Sequence, residues 1–285
     1  MNILIVGKNS FIGQGVGAWI CQNMPQARVE YISVRDDAWL ETDLSVYDAV
    51  LFAAAIVHKP EVTDWDTYEK INVQLPIRFA QQAKSHGVRQ FVFLSTVSVY
   101  CAQRSLPGTT WIHAGTPLEP ETMYGKSKLL AENGLQKLAD EHFCVSIIRP
   151  TYVYGQGCRG RHVAVQAMLA KKLPVLPRAY EDVAMGMIYI DNLAELCWLA
   201  AKSECSGIYH AQDRCPMSTS AILHALAPEK KQVRCQWLLQ PFSKYSLVNR
   251  VFGGSAYMEE IARCPLGEYQ HISMAEGIRR TVNKE

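Results

Sequence analysis

No block of like charges, no apolar run long enough to cross a bilayer and no paired-cysteine motif occurs in this chain. The first absence, with a formal net charge of +2, argues against a nucleic-acid surface or an anchor for acidic lipids, since both need clustered Lys and Arg. The longest apolar run, Ala49 to Val57, is about nine residues against the roughly 20 of a membrane helix. The nine cysteines are odd in number and widely spread, without Cys-x-x-Cys or a Cys/His cluster at zinc spacing. They read as reduced and mostly packed, and no metal is expected. No basic segment precedes the first apolar run, and Ile3–Val6 is too short for a signal core, so a cytoplasmic protein with small soluble partners is expected, with neither nucleic acid nor membrane among them. Internal repeats and low-complexity tracts are also lacking.

What is present is alternation. Apolar runs at Ile3–Val6, Val29–Val34, Ala49–Ala54, Gln90–Ser95 and Val145–Arg149 take turns with helical patterns at Phe11–Gln22, Tyr68–His86 and Tyr124–Glu141. That order predicts an α/β, Rossmann-like doubly wound parallel sheet with helices on both faces. Ligands of such sheets sit at the carboxyl ends of the strands, where Gly7, Ala53–Ala55, Ser95–Thr96 and Pro150–Thr151 fall. Between Arg35 and Asp48 there is little room for a crossover helix, so a turn around Ser45–Tyr47 is expected instead. Beyond Gly155 the pattern is irregular, with a helix near His162–Lys172 and a strand-helix pair at Met187–Ala201. The expected division is a dinucleotide domain of 1–155 plus about 186–205, and a smaller C-terminal substrate-binding lobe of about 156–185 and 206–285.

The segment Gly7-Lys-Asn-Ser-Phe-Ile-Gly13 places glycines where a tight strand-to-helix turn and a close helix contact exclude side chains. The helix that begins at Phe11 and Ile12 would turn free N–H groups towards a pyrophosphate. Ser10 stands where a middle glycine is usual, and its hydroxyl is a candidate phosphate contact. At the end of the second strand no acid is available to bind a ribose 2′-hydroxyl. Ser33 holds that position and Arg35 follows, whose guanidinium suits a 2′-phosphate, so NADP is favoured over NAD. The alternative is that Arg35 pairs with Asp36 or Asp37 in solvent.

Tyr124 and Lys128 are four apart in a helical pattern and share a face. An ammonium near the ring oxygen would lower a phenol pKa from about 10 towards the range of an acid/base catalyst. The same spacing also arises in ordinary amphipathic surface pairs.

Taken together, Gly7-x-x-x-Phe-Ile-Gly13, Asp43-Leu44, Phe52-Ala-Ala-Ala55, Asn72-Val73, Ser95-Thr96, Tyr124-x-x-x-Lys128, Arg149-Pro-Thr-x-x-Tyr-Gly155 and Tyr189-Ile-Asp-Asn-Leu193 resemble the extended short-chain dehydrogenase/reductases, the NAD-dependent epimerase/dehydratase type that acts on nucleotide sugars. The resemblance implies that Thr96 bonds the reacting sugar oxygen, Tyr124 exchanges its proton and Lys128 grips the nicotinamide ribose. It further implies that Asp43 and Leu44 flank adenine, Ala53, Ala54 and Ala55 line the dinucleotide, Asn72 braces the cofactor side, and Pro150 and Thr151 contact the nicotinamide. A homodimer through the helix bearing Tyr124, with Leu129, Leu130, Leu135 and Leu138 as its apolar surface, follows by the same analogy.

The departures narrow the chemistry. Val97 and Ser98 follow Thr96 where related dehydratases carry an Asp-Glu pair, which argues against dehydration. Ser98 also replaces the cysteine of related epimerising synthases, and His162 is expected on a surface helix. Met185 replaces a diphosphate-binding arginine, leaving Arg159, Arg161, Arg178 and Arg250 as candidates. Tyr100, Trp111, Tyr152 and Tyr154 are candidates for stacking on a sugar, although packing is expected for Tyr152. Cys101–Thr116 reads as a long loop suited to a lid. The expected function is NAD(P)-dependent C4-keto reduction of a nucleotide-linked sugar in surface polysaccharide synthesis. The alternatives are a nucleotide-sugar 4-epimerase with tightly held NAD and, from another class, a non-catalytic dinucleotide sensor.

Overall fold

The computed structural model describes residues 1–57, 64–101, 106–158, 161–243, 245–269 and 271–282. The first part of the chain runs β1 (Asn2–Val6), α1 (Phe11–Asn23), β2 (Arg28–Ile32), β3 (Ala49–Phe52), α2 (Trp65–Tyr68), α3 (Leu75–Ser85) and β4 (Gln90–Leu94). It continues through β5 (Thr109–Ile112), α4 (Met123–Gln136), β6 (Cys144–Pro150), β7 (Tyr152–Tyr154), α5 (Arg161–Lys172), β8 (Leu176–Arg178), β9 (Met187–Tyr189), α6 (Ile190–Ala201) and β10 (Gly207–Ala211). The remainder holds α7 (Thr219–Leu226), β11 (Gln232–Arg234), α8 (Gln236–Leu239), α9 (Ser246–Phe252), β12 (Gly254–Tyr257), α10 (Glu259–Ala262) and α11 (Met274–Val282).

Six parallel strands form the central sheet in the order β10-β6-β4-β3-β1-β2. The alternation of side chains along each strand sorts them onto two cores. Ile3, Ile5, Leu51, Val92 and Ile148 pack with Val16 and Ile20 of α1 and Leu193, Leu196 and Ala200 of α6. Leu4, Val6, Val50, Phe52, Phe91, Phe93 and Ile147 pack on the other side with Trp39, with Phe79, Ala80 and Ala83 of α3, and with Ala131 and Leu135 of α4. Burial on both faces explains why these strands are continuously apolar. β2 lies at an edge and is charged instead, with Glu30 accepting a hydrogen bond from the Tyr47 hydroxyl. The chain leaves β1 for β2 on one side and returns to β3 on the other. The crevice between the carboxyl ends of β1 and β3 is therefore the switch point where such sheets take ligands.

The expected doubly wound sheet is present, with differences in detail. β10, not anticipated as a sheet strand, pairs with β6 and forms the second edge. The short crossover before β3 contains a 3-10 turn, Asp37–Glu41, in addition to the turn closed by Tyr47 N–H on the Leu44 carbonyl. α4 stops at Gln136, ahead of the expected Glu141, because the Asp140 carboxylate accepts the His142 and Phe143 amides and turns Phe143 into the core. The helix expected over Tyr68–His86 begins at Trp65 and is broken by a π-helical stretch, Glu69–Gln74. The supposed lid is not a plain loop, since β5 pairs in parallel with β12, while residues 102–105 lie outside the described part.

Of the nine free cysteines Cys197 is buried, Cys144, Cys158, Cys235 and Cys264 are partly buried, and Cys21, Cys101, Cys205 and Cys215 are exposed, so full packing is the exception. Among the described residues no helix is long and apolar enough to cross a membrane, and no cluster of His, Cys, Asp and Glu is placed to hold a metal.

Candidate active site

Ser10 caps α1, its hydroxyl accepting the Gly13 amide at 3.2 Å and its carbonyl the Gln14 amide at 2.9 Å. The amides of Phe11 and Ile12, in the first turn, have no partner within the helix. Gly7 has φ +109°, and a Cβ there would lie 3.0 Å from the Ala54 nitrogen, so only glycine makes this turn against Ala53–Ala54. Gly7, Ser10, Phe11, Ile12, Gly13, Ala53 and Ala54 thus meet at the switch point. A side-chain-free cradle facing free helix amides fits a dinucleotide pyrophosphate. The Ser10 oxygen accepts the Gly13 amide as the helix cap, which leaves its O–H able to donate to a phosphate in the cradle.

Ala55 continues from this cradle into Ile56, whose N–H donates to Asn72 Oδ1 at 2.8 Å and whose carbonyl accepts from Nδ2 at 3.0 Å. Asn72 also donates to the Ser127 hydroxyl at 3.1 Å, so one buried amide ties the loop after β3 to α4. It sits in the π-helical stretch, a distortion frequent at functional sites. Pro150 and Thr151 follow β6, and the Thr151 hydroxyl donates to the Ala211 carbonyl at 3.1 Å. Arg35 is exposed just beyond β2 and forms no ion pair with Asp36 or Asp37 among the described residues.

Asp43 and Leu44 are not part of this cluster. The Leu44 amide donates to His86 Nδ1 at 3.1 Å, and Asp43 lies 3.4 Å from the same ring. His86 ends α3, which returns the chain to the edge where the parallel strands begin. Leu44 is buried in the core there, so neither residue can flank an adenine at the opposite edge.

Thr96, Tyr124 and Lys128 come together between β4 and α4. The Thr96 hydroxyl is hydrogen-bonded to the Tyr124 phenol, accepts the Ser98 amide at 3.1 Å and donates to the Ser98 hydroxyl at 3.2 Å. Thr122 caps α4 by accepting the Gly125 amide at 3.0 Å. A Cβ on Gly125 would stand 2.2 Å from the Ser98 carbonyl oxygen, so glycine lets the helix start lie directly on the Thr96–Ser98 turn.

Lys128 Nζ donates to the Leu94 carbonyl at 2.7 Å and lies 4.4 Å from the centre of the Phe93 ring. Burial pushes its pKa down to about 7, while Glu132 one turn on pulls it back up. Burial also pushes the Tyr124 phenol up to about 12, opposed by the Thr96 hydrogen bond. The expected depression of the phenol by its lysine is not among the effects that act here: the Thr96 hydrogen bond is what opposes desolvation, and Lys128 donates to the Leu94 carbonyl.

Behind the trio lies a buried polar chain that sequence reasoning missed. Glu132 accepts the Ser95 hydroxyl and a two-pronged contact from Arg149. Arg149 Nη1 donates to the Tyr100 oxygen at 2.7 Å, and that phenol lies 2.7 Å from His210 Nε2. Since His210 is also hydrogen-bonded to the Ile261 backbone, Nδ1 carries the proton and Nε2 accepts from Tyr100. Glu132 falls four residues beyond Lys128, the one signal that could have found it.

Tyr100 is consequently not a stacking platform, and Tyr154 is likewise buried, donating to Asp213 Oδ2 at 2.7 Å. Tyr152, expected in the core, is instead 36% exposed, and Trp111 is also exposed. Met185 is packed in the core beside Met187, and Arg178 is paired with Glu181 at 2.7 Å. Arg159 lies outside the described residues, as do the side chains of Arg161, His162 and Arg250. Of the helix leucines, Leu135 is buried, Leu129 and Leu138 are partly buried, and Leu130 is exposed.

The model of the NAD dependent epimerase/dehydratase family matches residues 3–210. The chain is 26% identical to a UDP-glucose 4-epimerase of Vibrio cholerae, with 91% of this chain and 85% of that protein covered. It is 25% identical to an N-acetyl-alpha-D-glucosaminyl-diphospho-ditrans,octacis-undecaprenol 4-epimerase of Escherichia coli O157:H7, with 75% and 67% covered. Among solved structures, the fold is similar to a UDP-glucose 4-epimerase of Thermotoga maritima, with a TM-score of 0.72 at 19% identity over 99% of this chain and 97% of that one.

Proposed function

The chain belongs to the NAD dependent epimerase/dehydratase family, and from that membership we propose an NAD(P)-dependent oxidoreductase working at C4 of a nucleotide-linked sugar, in the synthesis of a surface polysaccharide. The observation that carries this reading is the Thr96–Tyr124 hydrogen bond beside a buried Lys128. A protein that only bound a dinucleotide would not need that trio.

The bound nicotinamide supplies the capacity to give or take hydride. Thr96 orients the sugar oxygen, Tyr124 delivers or removes its proton, and Lys128 holds the ribose and favours phenolate when charged. Gly7 and the α1 amides of Phe11 and Ile12 receive the pyrophosphate, with Ser10 capping the helix through the Gly13 amide. Ala53, Ala54, Ala55 and Asn72 form the cofactor wall, and Pro150 and Thr151 the nicotinamide side. A resting phenol held up at about 12 is protonated, which suits proton donation to a ketone. The free guanidinium of Arg35 suits NADP. Both favour C4-keto reduction as the net reaction.

The second reading is 4-epimerisation with tightly held NAD, favoured by the likeness to two 4-epimerases. One of those relatives is named for a sugar on a diphospho-polyprenol. The substrate diphosphate of this chain therefore has two possible carriers, nucleoside and polyprenol. The test is titration of purified protein with NADPH and NADH, repeated for Arg35→Ala, followed by turnover on 4-keto and 4-hydroxy nucleotide sugars. Tighter NADPH binding that disappears in the variant, with NADPH consumed by a 4-keto sugar, supports reduction. Dinucleotide that co-purifies without exchanging, with interconversion of 4-hydroxy sugars, selects epimerisation. Binding without any turnover, unchanged by Tyr124→Phe, would leave only a sensor.

A further inference from the structure

Among the described residues, four large apolar side chains stand exposed between β11 and α9: Trp237 at 70%, Leu238 at 51%, Phe242 at 52% and Tyr245 at 63%. Their positions follow helical spacing through α8 and the 3-10 turn Gln240–Phe242 that continues it. Leu239 and Cys235 point inward, against the cluster around Tyr180 and Phe252, so the outward face is a surplus that the fold does not use. The Phe242 and Tyr245 rings lie 5.9 Å apart.

The charge along the segment itself has one sign. From 230 to 258 the sequence carries Lys230, Lys231, Arg234, Lys244 and Arg250 and no Asp or Glu, spread too thinly to read as a basic block. Lys230 is already committed to the carbonyls of Ala170, Lys171 and Leu173, capping α5. Lys231 and Arg234 are exposed. Just past β8, which pairs with β11, Glu181 is taken up by Arg178 and Asp182 is exposed.

We propose that this face docks the protein on an anionic lipid surface. Trp and Tyr are suited to the boundary between headgroup and acyl chain, and a short helix with an aromatic face and flanking cations lies in that plane without spanning it. A second copy is the poorer occupant. A two-fold contact would set the same cations against each other, and four side chains cover much less than a stable dimer buries.

The test is co-sedimentation of the full-length protein with vesicles of phosphatidylglycerol and phosphatidylethanolamine, against vesicles of phosphatidylcholine alone. It uses neither dinucleotide nor sugar, so its result stands apart from the catalytic reading. The expected result is binding to the anionic vesicles, weakened by salt, with about tenfold loss in Trp237→Ser/Phe242→Ser. Lys231→Glu/Arg234→Glu should lose a similar factor on anionic vesicles. Both variants should match the wild type in thermal melting and in dinucleotide titration. Failure of the wild type to sediment, equal binding by wild type and both variants, or a dimer in solution that the aromatic variant dissolves would overturn the proposal.

Discussion

Arg149 grips Glu132 with two parallel contacts, Nε to Oε1 at 3.1 Å and Nη2 to Oε2 at 2.5 Å, and both side chains are buried. The pair stands behind the reacting trio, and each partner neutralises a charge that the core could not hold alone. Arg149→Met should therefore destabilise the protein by about 3–5 kcal/mol, since it leaves the buried Glu132 side chain without its guanidinium partner. Chemical denaturation measures this. A change below about 1 kcal/mol would mean that the pair behaves like a surface ion pair.

Tyr124→Phe removes the proton carrier and leaves the cofactor cradle intact. The expected outcome is a loss in kcat of about 10²- to 10⁴-fold with dinucleotide affinity unchanged in fluorescence titration. Retention of turnover would take Tyr124 out of the chemistry.

Gly125→Ala probes how closely α4 must approach the turn after β4. The added carbon would meet the Ser98 carbonyl, so the helix start must move away and carry the phenol from Thr96. A stability loss of about 1–3 kcal/mol is expected, with kcat falling more than KM rises. Ser98→Ala, which leaves that carbonyl in place, should show neither effect to the same degree.

Acid stability carries two opposed signatures. Burial and the Arg149 charge hold His210 down to about 4, below its ordinary value of about 6.5. Its contribution to stability is present above about 6.5 and is lost as pH falls through about 4. Burial raises the Asp213 carboxyl to about 6, so its contribution is present below about 3.9 and is lost as pH rises through the raised value. His210→Gln should flatten the fall in Tm between pH 6.5 and 4, and Asp213→Asn should flatten the opposing trend over pH 4 to 6. Parallel Tm profiles for wild type and both variants would show that neither group titrates as its surroundings require.

Four of the six sheet strands, β1, β3, β4 and β6, were legible because burial on both faces writes itself as an unbroken apolar run, and the edge strand β2 through its Val, Tyr and Ile. β10, Gly-Ile-Tyr-His-Ala, is a half-exposed edge strand, and its mixed composition hid it. β5 was read as loop because Pro107, Gly108 and Gly115 punctuate it, and it is a strand through its pairing with distant β12. Thr96, Tyr124 and Lys128 could be anticipated to meet, since the first ends a strand and the others share a helix face. Asp43 and Leu44 misled because the shortened crossover carries them to the sheet edge where strands begin. Glu132, Arg149, Tyr100 and His210 stayed invisible as a unit, because residues from two strands, a helix and a turn converge only after folding.

The pairing of β5 with β12 also bears on the order in which a ribosome releases the parts of the site. Thr96, Tyr124 and Lys128 leave the exit tunnel well before Tyr257, whose hydroxyl donates to the Arg149 carbonyl and whose ring packs edge-on to Tyr100. Until then Thr109–Ile112 has no strand to lie beside, and the wall over the Tyr100 ring is open. A nascent chain thus holds its reacting groups well before it can enclose them.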